Sequence, residues 1–97
     1  MRAEDLWGGE MVGVQIDGQP VLLVNLNGEV HAYEDRCLHR AMPLSRGKLS
    51  GTVLVCGAHR WEYDLCTGHG INPAGIALRS FAVQIADGAI LVDVDGA

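Results

Sequence analysis

Cys37-Leu38-His39 and, after sixteen intervening residues, Cys56-Gly57-Ala58-His59 are the stretch from which the rest of the chain is read. Two cysteines and two histidines arrive as two short pairs, each cysteine leading its histidine. Thiolate is a soft anionic donor, and neutral imidazole is a borderline donor that adds no charge. Structural zinc sites usually draw on Cys-x2–4-Cys or His-x3–5-His pairs, so this spacing is unusual for zinc. A zinc-stabilised interaction module built from the same four residues is the alternative of a different class.

The pattern Cys-x-His, sixteen residues, Cys-x-x-His resembles the Rieske-type iron–sulfur proteins. The resemblance implies one [2Fe–2S] cluster, with Cys37 and Cys56 on one iron and His39 and His59 on the other. Two ferric ions, two sulfides and two thiolates sum to zero, and to −1 after one electron, whereas four thiolates would carry the cluster from −2 to −3. Two histidines in place of two cysteines therefore raise the potential, into a window of roughly −150 to +300 mV for the class.

Within that group the chain is similar to the small ferredoxins of bacterial toluene and related aromatic or alkene monooxygenases. The residues that carry this are Asp5-Leu6-Trp7 with Gly9-Glu10-Met11, Pro43-Leu44-Ser45 with Gly47, Ala58-His59 with Trp61, and Thr67-Gly68-His69-Gly70-Ile71-Asn72-Pro73. Gly57 and Arg60 stand where the common pattern has Pro and Gly, and Ala41 where many members have Gly. Those departures point away from the dioxygenase ferredoxins. Met42 and Ala58 occupy the places of the two extra cysteines of high-potential members, so their bridging disulfide cannot form. The resemblance thus implies a low-potential carrier, with a midpoint in the lower half of the roughly −150 to +300 mV window. It implies an electron-transfer component without catalytic residues, taking single electrons from an NADH-dependent flavin reductase to a di-iron hydroxylase. The alternatives are the ferredoxin of a Rieske ring-hydroxylating dioxygenase and the Rieske small subunit of a nitrite reductase.

At 97 residues the chain is expected to be one domain, 1–97, with a modest core. Its apolar fraction of 48% and charged fraction of 20% are those of an ordinary globule. Met1-Arg2-Ala3-Glu4-Asp5 lacks the apolar stretch of a signal peptide, and no apolar run approaches the ~20 residues that span a bilayer. A cytoplasmic protein is expected, with neither membrane nor nucleic acid as partner. Cys66 is left over, so no internal disulfide is expected, and it reads as a small apolar filler.

The net charge of −5 is unevenly spread. Between positions 36 and 60 lie Arg36, Arg40, Arg46, Lys48 and Arg60 and no acid, leaving two bases and twelve acids elsewhere. Solvated loops would account for this, as would a basic collar that raises the cluster potential and steers an acidic partner.

The remaining sequence reads as β-structure. Val12, Val14 and Ile16 alternate as in a half-buried strand, and Asp17-Gly18, Asn27-Gly28 and Asp87-Gly88 are hairpin signals. Strands are expected at 21–26, 29–34, 53–55, 60–65, 80–86 and 89–94, with 67–73 a tight glycine-rich loop. Trp7 reads as an anchor packed on the sheet, His31 as an ordinary strand histidine and His69 as a residue shaping its loop. Trp61 reads equally as core packing or as part of a docking face. The expected fold is all-β: an antiparallel sandwich or barrel with a cluster-binding subdomain inserted at about 36–73.

Overall fold

In the computed structural model, the residues described are 2–37, 43–56, 61–72 and 74–94. Three hairpins build the larger sheet, and their turns share one chemistry. Asp17-Gly18, Asn27-Gly28 and Asp87-Gly88 all have positive φ at both central positions, the type I′ geometry that matches the twist of paired strands. They join β1 (Met11–Ile16) to β2 (Gln19–Leu26), β2 to β3 (Glu29–Glu34), and β8 (Ser80–Ala86) to β9 (Ala89–Asp93). The five strands lie in the order β1-β2-β3-β8-β9, all antiparallel.

Between β3 and β8 the chain leaves this sheet and builds a second one. It comprises β4 (Lys48–Ser50), β5 (Val53–Val55), β6 (Glu62–Asp64) and β7 (His69–Asn72), in that order and antiparallel. The all-β fold with an inserted unit is thus as the sequence suggests. Two short strands go beyond it. Lys48–Ser50 pairs with β5, and His69–Asn72, expected as a loop, pairs with β6 across an irregularity between Glu62 and Tyr63.

The apolar run Val21–Val24 lies wholly inside because β2 has a core on each side. Leu22, Val24 and Leu26 face the inserted sheet, joining Tyr33, Leu44, Leu54, Tyr63, Leu65 and Leu78. Val21 and Leu23 face away, joining Leu6, Ala32, Phe81 and Ile90. Successive strand residues point to opposite faces, so an uninterrupted run can serve both cores.

Two expectations need correcting. Trp7 is 72% exposed, and its indole N–H donates to the Glu4 carbonyl. The anchor is Leu6, because the Glu10 carboxylate accepts the Trp7 backbone N–H at 2.7 Å and the chain turns the indole outward. Cys66 is exposed as well: its backbone N–H is tied to Asp64 Oδ1, while Leu65 takes the buried position.

Tyr33 fastens one sheet to the other. Its hydroxyl donates to the Leu65 carbonyl at 2.7 Å, and its ring lies so close to Gly68 that a Cβ there would come within 2.8 Å of it. Gly68 also has a φ of +81°, so its lack of a side chain is required twice. Burial, reinforced by the negative field of Cys66 and Asp64, pushes the Tyr33 phenol from 10.0 up to about 12. The folded chain therefore keeps a proton that the unfolded chain releases as pH climbs past 10, and stability falls as pH rises from about 10 to about 12. Tyr33→Phe should remove that part of the alkaline slope and cost about 1 kcal/mol at neutral pH. Chemical denaturation across this pH range checks it; equal slopes in the two proteins would contradict it.

Candidate metal centre

Cys37 is reached through a short irregular segment pinned to the larger sheet. The Glu34 N–H donates to the Arg79 carbonyl, and the Asp35 N–H to that of Pro20. The Asp35 side chain then clamps the far end of the same loop, accepting hydrogen bonds from the Ser45 backbone N–H and hydroxyl, both at 2.8 Å. Gly13 of β1 lies directly against this clamp: a Cβ there would come within 2.5 Å of Asp35 Oδ2 and 2.6 Å of Ser45 Oγ. After Pro43 a single 3-10 turn, Leu44–Arg46, buries Leu44 and leads into β4.

Cys56 follows β5 directly. Its backbone N–H donates to the Trp61 carbonyl at 2.7 Å, one step beyond the Val55–Glu62 pair, so the hairpin ladder is held up to the point where the second loop begins. Leu49, Leu54 and Tyr63 lie in cross-strand register and belong to one core with both cysteines. Cys37 and Cys56 are each only 2% exposed. Trp61 is partly buried against this core, which favours the packing reading of that residue.

A side-chain contact between described residues joins the two segments. Tyr63 Oη lies 3.5 Å from Cys37 Sγ, so a residue of the second hairpin touches the cysteine of the first loop. A thiol could give or receive that hydrogen bond. A thiolate can only receive it, which makes the Tyr63 hydroxyl the donor whenever Cys37 is a ligand.

The other two candidate ligands, His39 and His59, lie outside the described residues. His31 stands on β3, stacked with Tyr33 at 6.3 Å between ring centroids and 3.8 Å from Glu29 Oε1. His69 is exposed on β7. Among the described residues no group of three or more histidine, cysteine or carboxylate side chains is arranged to hold a metal. The frame for one is nevertheless plain: two buried sulfurs in an apolar core, one of them facing a hydroxyl donor, suit a thiolate-ligated group better than a solvated ion. Sequence reasoning puts Tyr63 only within the expected strand 60–65 and misses its contact with Cys37, as it misses the Asp35–Ser45 clamp. Neither has a local signal, because each joins positions distant in the chain.

Residues 1–82 match the family model described as the Rieske [2Fe-2S] domain. The chain belongs to the Rieske [2Fe–2S] family. Its cofactor is a Rieske-type [2Fe–2S] cluster, and a zinc site drops out. Among relatives, the Rieske chain is 39% identical over 95% of its length to the ferredoxin component of the alkene monooxygenase system of Xanthobacter autotrophicus, covering 76% of that protein. It is 36% identical over 95% of its length to the ferredoxin component of biphenyl 2,3-dioxygenase of Rhodococcus jostii, covering 87% of it. Among solved structures, a chain from the complex of reduced oxygenase and oxidised ferredoxin in carbazole 1,9a-dioxygenase superposes with a TM-score of 0.85 at 30% identity, covering 94% of this Rieske chain and 86% of that one.

In a Rieske centre, hydrogen bonds to the ligand sulfurs stabilise the more negative, reduced state and raise the potential. Tyr63→Phe keeps the ring and removes the hydroxyl that lies 3.5 Å from the sulfur of Cys37, a candidate ligand. The expected result is a midpoint lowered by roughly 40–60 mV, equivalent to about 1 kcal/mol of differential stabilisation for one electron, with the visible spectrum retained. Spectroelectrochemical titration checks this, and an unchanged or higher midpoint would contradict it.

Proposed function

We propose that this chain is a soluble, cytoplasmic one-electron carrier, a ferredoxin and not an enzyme in its own right. Residues 1–97 act as a single Rieske domain whose cluster-binding part spans about 36–73. Cys37 and Cys56 hold one iron, and His39 and His59 the other. When bound, the [2Fe–2S] cluster supplies reversible single-electron redox chemistry. The chain's own part is to keep both thiolates dry, to aim the Tyr63 hydroxyl at Cys37 and to hold the two ligand loops at their bases.

The electron comes from an NADH-dependent flavin reductase and goes to the di-iron hydroxylase of a multicomponent alkene or aromatic monooxygenase. The observation that carries this reading is the 39% identity to an alkene monooxygenase ferredoxin across 95% of the chain. Service to a Rieske ring-hydroxylating dioxygenase is the second reading. The 36% identity to the biphenyl dioxygenase ferredoxin and the superposition on the carbazole dioxygenase complex favour it.

Rapid mixing separates the two. The chemically reduced protein is mixed with a purified di-iron alkene monooxygenase hydroxylase, or with a purified Rieske dioxygenase, and the return of the oxidised visible spectrum is followed. Fast reoxidation by the di-iron enzyme, with product formed, is expected. Fast transfer to the dioxygenase alone would replace the first reading with the second.

A further inference from the structure

Five of the seven basic residues fall between positions 36 and 60 of a chain whose net charge is −5. The two outside that stretch are already engaged. Arg2 pairs with Glu4 at 2.9 Å, and Arg79 pairs with Glu34 at 3.6 Å while its guanidinium lies 5.0 Å over the Phe81 ring. The three described bases inside it differ. Arg36, Arg46 and Lys48 are exposed, and none makes an ion pair among the described residues.

Their positions are tied to the cluster frame. Arg36 immediately precedes Cys37, and Arg46 immediately follows Ser45, so the two arginines flank the Asp35–Ser45 clamp. Lys48 pairs with Val55, the residue before Cys56, and shares the outer face of the second sheet with it. Besides Glu34, which is held by Arg79, three acids lie nearby; one of them, Asp64, pairs with Val53 on the outer face and accepts the Cys66 N–H. Asp35 is buried and bonded to Ser45. Glu62 stands beyond Val55 on the same outer face, two strands or ~10 Å from Lys48. The outward-facing charge of this region is therefore positive, opposite in sign to that of the whole molecule.

We propose that Arg36, Arg46 and Lys48 form an electropositive docking rim beside the cluster, made for an acidic patch on the oxygenase that receives the electron. This rests on the electron-carrier reading above. A rim of this kind orients encounter, because the acidic remainder is repelled by the partner surface that the rim attracts. It acts over about one Debye length, ~8 Å at physiological salt, so it governs approach and orientation more than tightness.

Two small oxidants of opposite charge test the rim without the natural partner. The reduced protein gives one electron to ferricyanide, yielding ferrocyanide and oxidised protein, and one to tris(phenanthroline)cobalt(III), yielding the cobalt(II) complex. A local positive rim predicts that the ferricyanide rate falls as salt rises from ~20 to ~300 mM, although the net charge alone predicts a rise. Arg46→Gln/Lys48→Gln and Asn27→Asp/Gln84→Glu both carry −5 − 2 = −7, and they differ only in where the charge changes. Asn27 and Gln84 are exposed on the larger sheet, and Asn27 holds the turn position occupied by Asp in the other two hairpins.

The rim variant should slow ferricyanide at least ~3-fold at low salt, flatten or reverse its salt dependence and lower the midpoint. The control variant should leave the salt slope and midpoint as they are. A ferricyanide rate that rises with salt in the unaltered protein, or two −7 variants that behave alike, would overturn the proposal. Normal exchange with both oxidants but none with any oxygenase would instead sink the carrier reading and with it the oxygenase as the rim's partner, leaving only the local positive field.

Discussion

Two sulfurs from different parts of the chain must enter one dry core: Cys37 from the loop after β3, and Cys56 from the hairpin inserted nineteen residues later. Burying two thiolates is costly unless metal and hydrogen-bond donors compensate them, and the rest of the molecule is arranged around that requirement. The first loop is closed at its base by the Asp35 carboxylate on Ser45, and the second by the Cys56 N–H on Trp61. Tyr63 then reaches from the second hairpin to the sulfur of the first loop. Each ligand segment is thereby fixed to something other than itself.

The larger sheet is the foundation for this frame. β2 carries a core on each face, so the residues that stabilise the outer core and those that join the core of the two cysteines come from one strand. Tyr33 and Gly13 transmit that rigidity: the phenol is bonded to Leu65, and the glycine leaves room for the clamp to rest on β1. In a chain of 97 residues the apolar core is modest, and ligand binding by four side chains would add to the stability of the folded state.

Much of this was legible in the sequence, and for local reasons. The three Asp-Gly and Asn-Gly turns demand positive φ at successive residues, and few other sequences satisfy that, so the hairpins could be placed almost to the residue. The Cys-x-His and Cys-x-x-His pairs were legible because their chemistry is carried by residue type and spacing. What escaped was set by tertiary contact. Lys48–Ser50 and His69–Asn72 are too short and too polar to show alternation, and they become strands only because β5 and β6 lie beside them. Trp7 and Cys66 were misplaced because a neighbouring leucine, Leu6 or Leu65, fills the buried position in each case. The clamp from Asp35 to Ser45 and the contact from Tyr63 to Cys37 span ten and twenty-six residues, beyond any local pattern.

The proposed centre joins two cysteines and two histidines on one cluster, with His39 and His59 as the nitrogen ligands. Electron–nuclear double resonance on the reduced protein, labelled with 15N-histidine, addresses it directly. Couplings from two histidine nitrogens are expected, unchanged when the other two histidines are replaced in a His31→Gln/His69→Gln variant. Absence of histidine couplings, or their loss in that variant, would contradict it.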